Sequence, residues 1–192
     1  MKAPRALASI VLSWLAAATP SAAGGGWLDA PPAGWNKPGA ALPQAPSVEG
    51  NPDPRCRDQA RPAASAGDRT VAAAGWTPVG SLQILGDTAV VTGTSAFDGM
   101  CRWWGYQVFV FVGGRFAGTL SPGPMNSRAD GAAVQVHVYQ ASIMTAEFAR
   151  YAEKDPLCCP SGKSLVSYRV EQGSGGLVIV PLEVSTTPSN AP

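Results

Sequence analysis

The residues of this 192-residue chain that could do the most varied chemistry are its four cysteines. Two of them, Cys158 and Cys159, are adjacent. Such thiols act as nucleophiles, redox couples or metal ligands, or they cross-link a fold. Neighbouring Cα atoms lie about 3.8 Å apart, below the roughly 4.4 to 6.8 Å of a relaxed disulfide. This favours two long-range bridges that join Cys56 and Cys101 to Cys158 and Cys159, in either order. The alternative is a vicinal Cys158–Cys159 bridge beside Cys56–Cys101, which would revive a redox role.

The single histidine, His137, limits the catalytic options. Any Ser-His-Asp or Cys-His site must use it, and Ser161 stands in Pro-Ser-Gly rather than in a G-x-S-x-G nucleophile elbow. One histidine and adjacent cysteines also lack the C-x-x-C spacing of zinc sites. We expect His137 to be a half-exposed sheet residue, and we predict no catalytic residue, no metal and no cofactor.

The acidic residues are scattered and lie mostly at predicted turns, where aspartate is favoured for backbone reasons. A glycosidase-like reaction needs two carboxyl groups at a set separation, and no spacing here selects a pair. The residues considered are Asp87, Asp98, Asp130, Glu147, Glu153 and Asp155. A hydrolase with an unrecognised carboxylate or Ser-His site is therefore kept as the alternative function.

Aromatic, methionine and arginine residues cluster in two segments that flank predicted strands. Arg102 precedes Trp103 and Trp104, and the loop 121–131 carries Met125 and Arg128. Aromatic residues and arginine are enriched at recognition hot spots, and loops on a rigid sheet commonly carry function. Arg102, Trp103, Met125 and Arg128 therefore form the candidate binding surface.

The elements that must position these residues are mainly strands, because the apolar pattern from Val79 onwards has a period of two. One face of the segment 104–112 holds Trp104, Tyr106, Val108, Val110 and Val112, and the other holds Gln107, Phe109 and Phe111. Gly113-Gly114 then predicts a hairpin, since a type I′ turn needs positive φ at both positions.

Further strands are predicted along the rest of the chain. Segments 81–85 and 88–94 are joined by Gly86-Asp87, and segments 165–172 and 177–184 form a second hairpin. In 134–140 the alternation points Val134, Val136 and Val138 inward. The segment 142–153 is ambiguous between helix and strand, and we favour strand.

Two segments depart from the strand pattern. Residues 65–75 predict one short helix, with Ser65 as N-cap, Asp68 near the positive end of the helix dipole, and Gly75 as the stop. Residues 24–62 contain eight prolines, which exclude regular helix and central strand. Because this segment also holds Trp27 and Trp35, we interpret it as a Pro-rich arm that packs on the domain.

The N-terminus has the pattern of a secretory signal peptide over residues 1–23, with Lys2 and Arg5, an apolar run too short to span a bilayer, and small residues before the cut. The signal contains no acidic residue, so its removal takes the net charge from +1 to −1. A near-neutral chain lacks the basic footprint of a nucleic-acid binder. Export also exposes the cysteines to an oxidising compartment, which favours disulfides. No transmembrane segment is predicted.

Three motifs, DGMC at 98–101, YQVFVFVGGRFAGTLSP at 106–122 and DPLCCPSG at 155–162 followed by VSYRV at 166–170, resemble the LppP/LprE lipoprotein family of bacterial exported proteins. The resemblance covers about residues 56–181. It implies a cell-envelope or periplasmic domain and carries over no catalytic residue. A lipoprotein takes its lipid on a cysteine just after the signal core, whereas the first cysteine here is Cys56, so we expect a periplasmic or secreted protein that is not lipidated.

Together these observations predict an α+β, mostly antiparallel β meander of about six or seven strands, with one short helix and the Pro-rich arm. The expected organisation is a signal peptide at 1–23, the arm at 24–62, a disulfide-linked β-rich domain at 63–184 and a flexible tail at 185–192. The expected function is non-catalytic binding or scaffolding of an unknown envelope protein or ligand, and the alternative is an envelope hydrolase.

Overall fold

A computed structural model describes residues 25–47 and 54–188; the predicted signal peptide and the end of the tail lie outside these ranges. The elements, in chain order, are 3-10 helices at Gly25–Asp29 and Pro54–Gln59, helix α1 (Ala66–Ala73), and strands β1 (Thr77–Leu85), β2 (Thr88–Phe97), β3 (Trp103–Val112), β4 (Arg115–Thr119), β5 (Ala133–Gln140), β6 (Ile143–Arg150), β7 (Gly162–Gly173) and β8 (Gly176–Pro188). Within the described ranges, none of the helices has the length and apolar character needed to cross a membrane.

The strands form two antiparallel meanders, sheet A with the order β1-β2-β3-β4 and sheet B with the order β5-β6-β7-β8. The mostly antiparallel meander with few helices is confirmed, but the described chain has eight strands rather than six or seven. The ambiguous segment 142–153 supplies strand β6. Strand β8 continues to Pro188, into the segment assigned to the tail, because its last residues pair with the start of β7.

The main core lies between the two sheets. The inward face of β3 supplies Tyr106, Val108, Val110 and Val112, and sheet B supplies residues such as Phe148. The remaining fully buried members are spread over both sheets and include Leu120, Met144, Ala146, Val166, Tyr168 and Ile179. The phenol of Tyr168 donates a hydrogen bond to the Leu120 carbonyl, and this bond ties sheet B to the end of β4.

The second face of sheet A is buried as well, against α1 and the arm. Phe109 and Phe111 of β3 pack there with Val71 and Trp76, and the Trp76 and Phe109 rings meet edge to face at 5.2 Å. Because Cβ at Gly93 would lie 2.8 Å from Val71, the helix approaches β2 closely at that point. Strand β3 is thus buried on both faces, as its alternating aromatic and β-branched residues predict.

Helix α1 begins where the sequence predicts. Ser65 is the N-cap, and its hydroxyl accepts from the Asp68 amide while the Asp68 carboxylate accepts from the Ser65 amide, which completes a capping box. The same carboxylate accepts from Arg61 Nη2 at 2.6 Å and from the Ala64 amide at 3.0 Å. Asp68 is fully buried, so these donors hold a charge that water does not reach.

Stability should depend on the ionisation of Asp68. Burial raises the pKa of this carboxyl, but the bonds from Arg61, Ser65 and Ala64 outweigh burial and lower it from 3.8 to about 2. A lowered folded-state pKa stabilises the fold above the unfolded pKa, and the stabilisation is lost as the pH falls through the folded pKa. The shift corresponds to about 2 kcal/mol.

We therefore expect Asp68→Asn to unfold more easily than the parent at neutral pH, by about 2 kcal/mol, with a gap that closes between about pH 5 and pH 2. Urea unfolding across this range measures the gap. Asp58→Asn, at an exposed position, is the matched control and should stay within about 0.5 kcal/mol of the parent. A gap for Asp68→Asn that does not change with pH would contradict the ion-pair account.

The Pro-rich arm packs against the domain by its tryptophans and one asparagine. Trp27 contacts the Phe148 ring at 5.0 Å and the Trp35 ring at 5.1 Å, both edge to face. Asn36 lies at the β4–β8 seam, the line where the edge of sheet A meets the edge of sheet B. Its amide nitrogen donates to the Thr119 and Ile179 carbonyls at 2.9 and 3.0 Å, and its oxygen accepts from the Thr119 amide at 2.9 Å. An arm residue thus bridges the two sheets at this seam.

The preferred disulfide pairing is wrong. The bridges are Cys56–Cys101, across a sequence separation of 45, and the vicinal Cys158–Cys159. Cys101 ends the tight turn 98–101, whose backbone is held by the Asp98 carboxylate, and this turn lies against the 3-10 helix that carries Cys56. The segment with Cys158 and Cys159 forms a separate exposed turn, so the sequence rule on Cα spacing did not decide the pairing.

Candidate functional site

A cavity lies where the edges of strands β1 and β5 face each other, opposite the β4–β8 seam. We call this cavity the β1–β5 groove. It has a volume of about 270 Å³. Its lining residues are Gly80, Ser81, Gln83, Thr92, Trp103, Tyr106, Val108, Ala133, Val134, Gln135 and Val136. Strands β1 and β5 belong to different sheets, and no ladder of backbone pairs joins them within the described chain.

Irregularities in both edge strands shape the groove. Along β1 the register with β2 shifts between Val79 and Gln83, and along β5 the register with β6 shifts between Ala133 and Gln135. Such bulges bend an edge strand and leave backbone groups unpaired. The side chain of Gln83 reaches across and donates to the Val136 carbonyl at 3.0 Å. The groove is therefore spanned at this point by a side chain rather than by paired strands.

The floor of the groove is aromatic. The rings of Trp103 and Tyr106 meet edge to face at 5.6 Å, and the Tyr106 phenol donates to the Ala133 carbonyl at 2.7 Å. Gly80, at φ +62°, leaves room for this floor, because a Cβ atom at that position would lie 2.9 Å from the Trp103 ring. Burial raises the pKa of Tyr106, so the phenol stays neutral and donates to the Ala133 carbonyl.

The alternation predicted for the start of β3 is wrong at its first residues. Gly105 has φ +60°, which breaks the alternation of side chains, so Trp103 packs on the core side with Tyr106 and Trp104 is 47% exposed. A similar correction applies to β5. Its bulge turns Val134 outward to 61% exposure, whereas Val136 and Val138 pack on the core as predicted.

The four residues of the predicted binding surface do not form one exposed patch. Trp103 lines the groove, but Met125 is buried and its backbone pairs with Tyr106. The guanidinium of Arg102 is paired with the Asp98 carboxylate at 2.5 Å. Arg128 is exposed, in a turn with φ +61°, one residue after Ser127, whose amide donates to the Trp103 carbonyl. Only Trp103 of this set faces the cavity.

The candidate catalytic residues are dispersed. His137 lies opposite Thr145 in the strand register and stacks on Tyr139 at 6.0 Å between ring centroids. Ser161 lies in the tip loop, residues 151–161 between β6 and β7, where its amide donates to the Asp155 carboxylate at 2.7 Å. Neither residue lines the β1–β5 groove.

The carboxylates serve mainly as structural acceptors. Asp130 accepts from Arg150, which also binds Asp29, and Glu147 pairs with Lys163. In Asp98, backbone donors at Arg102 and Met100 and the Arg102 side chain outweigh partial burial and lower the pKa. Asp87 and Glu153 are exposed. In the residues that the structure describes, no three His, Cys, Asp or Glu side chains are grouped so as to hold a metal ion.

Sequence reasoning missed most of the groove, including Ser81, Gln83, Val134 and Val136. A signal was present in Gly80, because an isolated glycine within a strand pattern indicates a bulge or a close backbone approach. No local sequence signal shows that the edges of β1 and β5 lie opposite each other, because three other strands separate them in the chain.

Comparison with known proteins gives one match. A model of the LppP/LprE lipoprotein family matches residues 83–173, a segment that includes Trp103, Tyr106 and the whole β5 wall of the groove. No curated protein and no solved structure matches the chain. This match confirms the resemblance seen in the sequence motifs: residues 83–173 are similar to the LppP/LprE lipoprotein family.

Proposed function

We propose that the protein is an exported, non-catalytic binding domain of the bacterial cell envelope, and that the β1–β5 groove holds an extended peptide segment of an envelope protein. One observation carries the proposal: two strand edges face each other across a cavity of mixed polar and apolar lining and are not paired with each other. The match of residues 83–173 to a lipoprotein family supports a place in the envelope. Export itself rests on the signal-like pattern at residues 1–23.

An extended peptide fits because the groove is walled by strand edges. An unpaired edge presents a row of backbone donors and acceptors to an incoming strand, which gives affinity, while side-chain pockets give specificity. On the opposite side of the molecule, a segment of the chain itself already bonds to both sheets. At the β4–β8 seam, Asn36 of the non-helical arm bonds to Thr119 of sheet A and Ile179 of sheet B. An outside segment in the β1–β5 groove would play the same bridging role.

The size of the groove favours a peptide over a whole cofactor. Sites for drug-sized ligands usually measure roughly 300 to 1,000 Å³, whereas this cavity is about 270 Å³. It suits one or two apolar side chains that rest on Trp103, Tyr106 and Val108. The neutral amides of Gln83 and Gln135 at the rim can bond to the backbone of the peptide.

The chemistry of the lining supports binding rather than catalysis. Tyr106 is the one titratable side chain in the lining, and its neutral phenol is already bonded to Ala133. A hydrolytic site needs a nucleophile or an activated water together with a base within hydrogen-bond reach. The hydrolase alternative would have to use a carboxylate or His137, and neither lines this groove.

Selection of random nine-residue peptides displayed on phage, with the folded chain as bait, tests the proposal. We expect apolar extended peptides to be enriched and to lose about tenfold or more in affinity on Ser81→Trp, which places an indole in the groove. Ser185→Trp is the matched control, because Ser185 is also an exposed strand serine but lies on β8. It should leave the affinity unchanged.

Two results would overturn the proposal. If no peptide is enriched, or if Ser81→Trp and Ser185→Trp bind the selected peptides equally, the groove is not the binding site. If the selected peptides are cleaved by the parent chain and not by His137→Ala, the protein is a hydrolase and not a non-catalytic binder.

A further inference from the structure

The two disulfides differ in their access to solvent. Cys56 is 1% exposed, under the 98–101 turn, whereas Cys158 and Cys159 are both exposed in the tip loop, residues 151–161 between β6 and β7. Thiol–disulfide exchange requires that a thiolate reach a sulfur atom of the bridge. On this ground the vicinal pair is open to attack, whereas the Cys56–Cys101 pair is less accessible, because Cys56 is buried and Cys101 is only partly exposed.

The two disulfides also differ in what they hold together. Cys56–Cys101 closes a chain segment with a separation of 45, while Cys158–Cys159 joins neighbours and closes no chain loop. The tip loop has its own hydrogen bonds. Asp155 accepts from the Ala152 and Ser161 amides at 2.8 and 2.7 Å, and the Tyr151 phenol donates to the Leu157 carbonyl at 3.0 Å. Opening the vicinal bridge therefore leaves the fold in place.

We infer that Cys158–Cys159 is a thiol–disulfide exchange site that accepts two electrons from a dithiol. One donor thiolate attacks a sulfur of the pair, the Cys158–Cys159 bond breaks, and a mixed disulfide forms while the other cysteine leaves as a thiolate. The second donor thiolate then attacks the mixed disulfide. The donor ends as a disulfide, and Cys158 and Cys159 end as two thiols that carry the two protons of the donor.

The surroundings of the pair suit contact with a protein dithiol. Leu157, directly before Cys158, is 63% exposed, and the loop projects between two strand ends. The site lies outside the β1–β5 groove, so this inference is independent of the proposed function.

Stepwise reduction of the oxidised chain with dithiothreitol, followed by alkylation and peptide mass mapping, tests the inference. We expect alkylation of Cys158 and Cys159 at about tenfold less reductant than Cys56 and Cys101 require, with an unchanged near-ultraviolet circular dichroism spectrum. The double variant Cys158→Ala/Cys159→Ala is the control and should show no alkylation in this low range.

The contrary outcomes are equally clear. Alkylation of Cys56 and Cys101 first, or of all four cysteines together with loss of the spectrum, would overturn the inference. So would free thiols at Cys158 and Cys159 before any reductant is added, because no bridge would then exist to accept electrons.

Discussion

Replacing Cys56 and Cys101 together by alanine is expected to lower the free energy of unfolding by about 4 kcal/mol. The bridge spans a separation of 45 residues. In the chain-entropy account, a bridge over this separation lowers the conformational entropy of the unfolded chain, which stabilises the folded state by about 4 kcal/mol. It also fixes the turn 98–101 next to Trp103, so its loss should loosen the floor of the β1–β5 groove. Urea unfolding of the oxidised parent and the variant measures the difference.

The vicinal pair provides the matched control. Cys158→Ala/Cys159→Ala removes the same number of sulfur atoms but opens no chain loop, so its effect on stability should stay below about 1 kcal/mol. Equal losses for the two double variants would contradict the assignment of the pairs. Such equal losses would point to the long-range connectivity, because each double variant would then remove both bridges.

Replacing Asn36 by alanine should have the second largest effect, a loss of about 3 kcal/mol. Thr119 and Ile179 are buried, and the substitution removes the Asn36 partner of the Thr119 amide and the Ile179 carbonyl, while the Thr119 carbonyl keeps its bond from the Trp35 indole. Unpaired buried backbone groups cost about 1 to 3 kcal/mol each. Gly118 shows how closely the asparagine fits, since Cβ there would lie 2.4 Å from its side-chain amide.

Thermal or urea unfolding of Asn36→Ala against Lys37→Ala measures this effect. Lys37 is the next residue along the arm and is exposed, so its truncation should change stability by less than about 0.5 kcal/mol. If both variants match the parent, the arm does not hold the β4–β8 seam together, and its contacts contribute nothing to the stability of the two sheets.

Local signals in the sequence predicted the local structure well. Gly113 and Gly114 both have positive φ at the tip of the β3–β4 hairpin, as a type I′ turn requires. Ser65 and Asp68 form the capping box that begins α1. These features depend on residues a few positions apart, so composition and spacing are enough to predict them.

Contacts between distant segments could not be predicted in the same way. The pairing of Cys56 with Cys101 depends on how the 3-10 helix Pro54–Gln59 meets the turn 98–101, and the β1–β5 groove depends on how two sheets meet. A one-residue irregularity in a strand also moves side chains to the opposite face of the sheet, because side chains alternate with a period of two. Gly105 does this to Trp104, and the β5 bulge does it to Val134.

The two places where the sheets meet explain why the groove is the candidate site. At the β4–β8 seam the arm supplies Trp35 and Asn36, and the Trp35 indole donates to the Thr119 carbonyl at 3.1 Å. At the groove, the side chains of Gln83 and Tyr106 each donate to a backbone carbonyl of β5, and Trp103 stays half-buried. The described domain therefore has one seam filled by its own arm and one that the arm leaves open, which is why we propose the groove as the binding site.

Amide hydrogen exchange of the chain with and without a selected peptide tests the central claim most directly. A peptide in the β1–β5 groove should slow exchange at residues 80–82 of β1 and 134–136 of β5, because their edge amides gain hydrogen bonds or lose contact with water. The tip loop 151–161 and the outer face around His137 should exchange as before. Slowed exchange at those places, with no change at 80–82 and 134–136, would contradict the account.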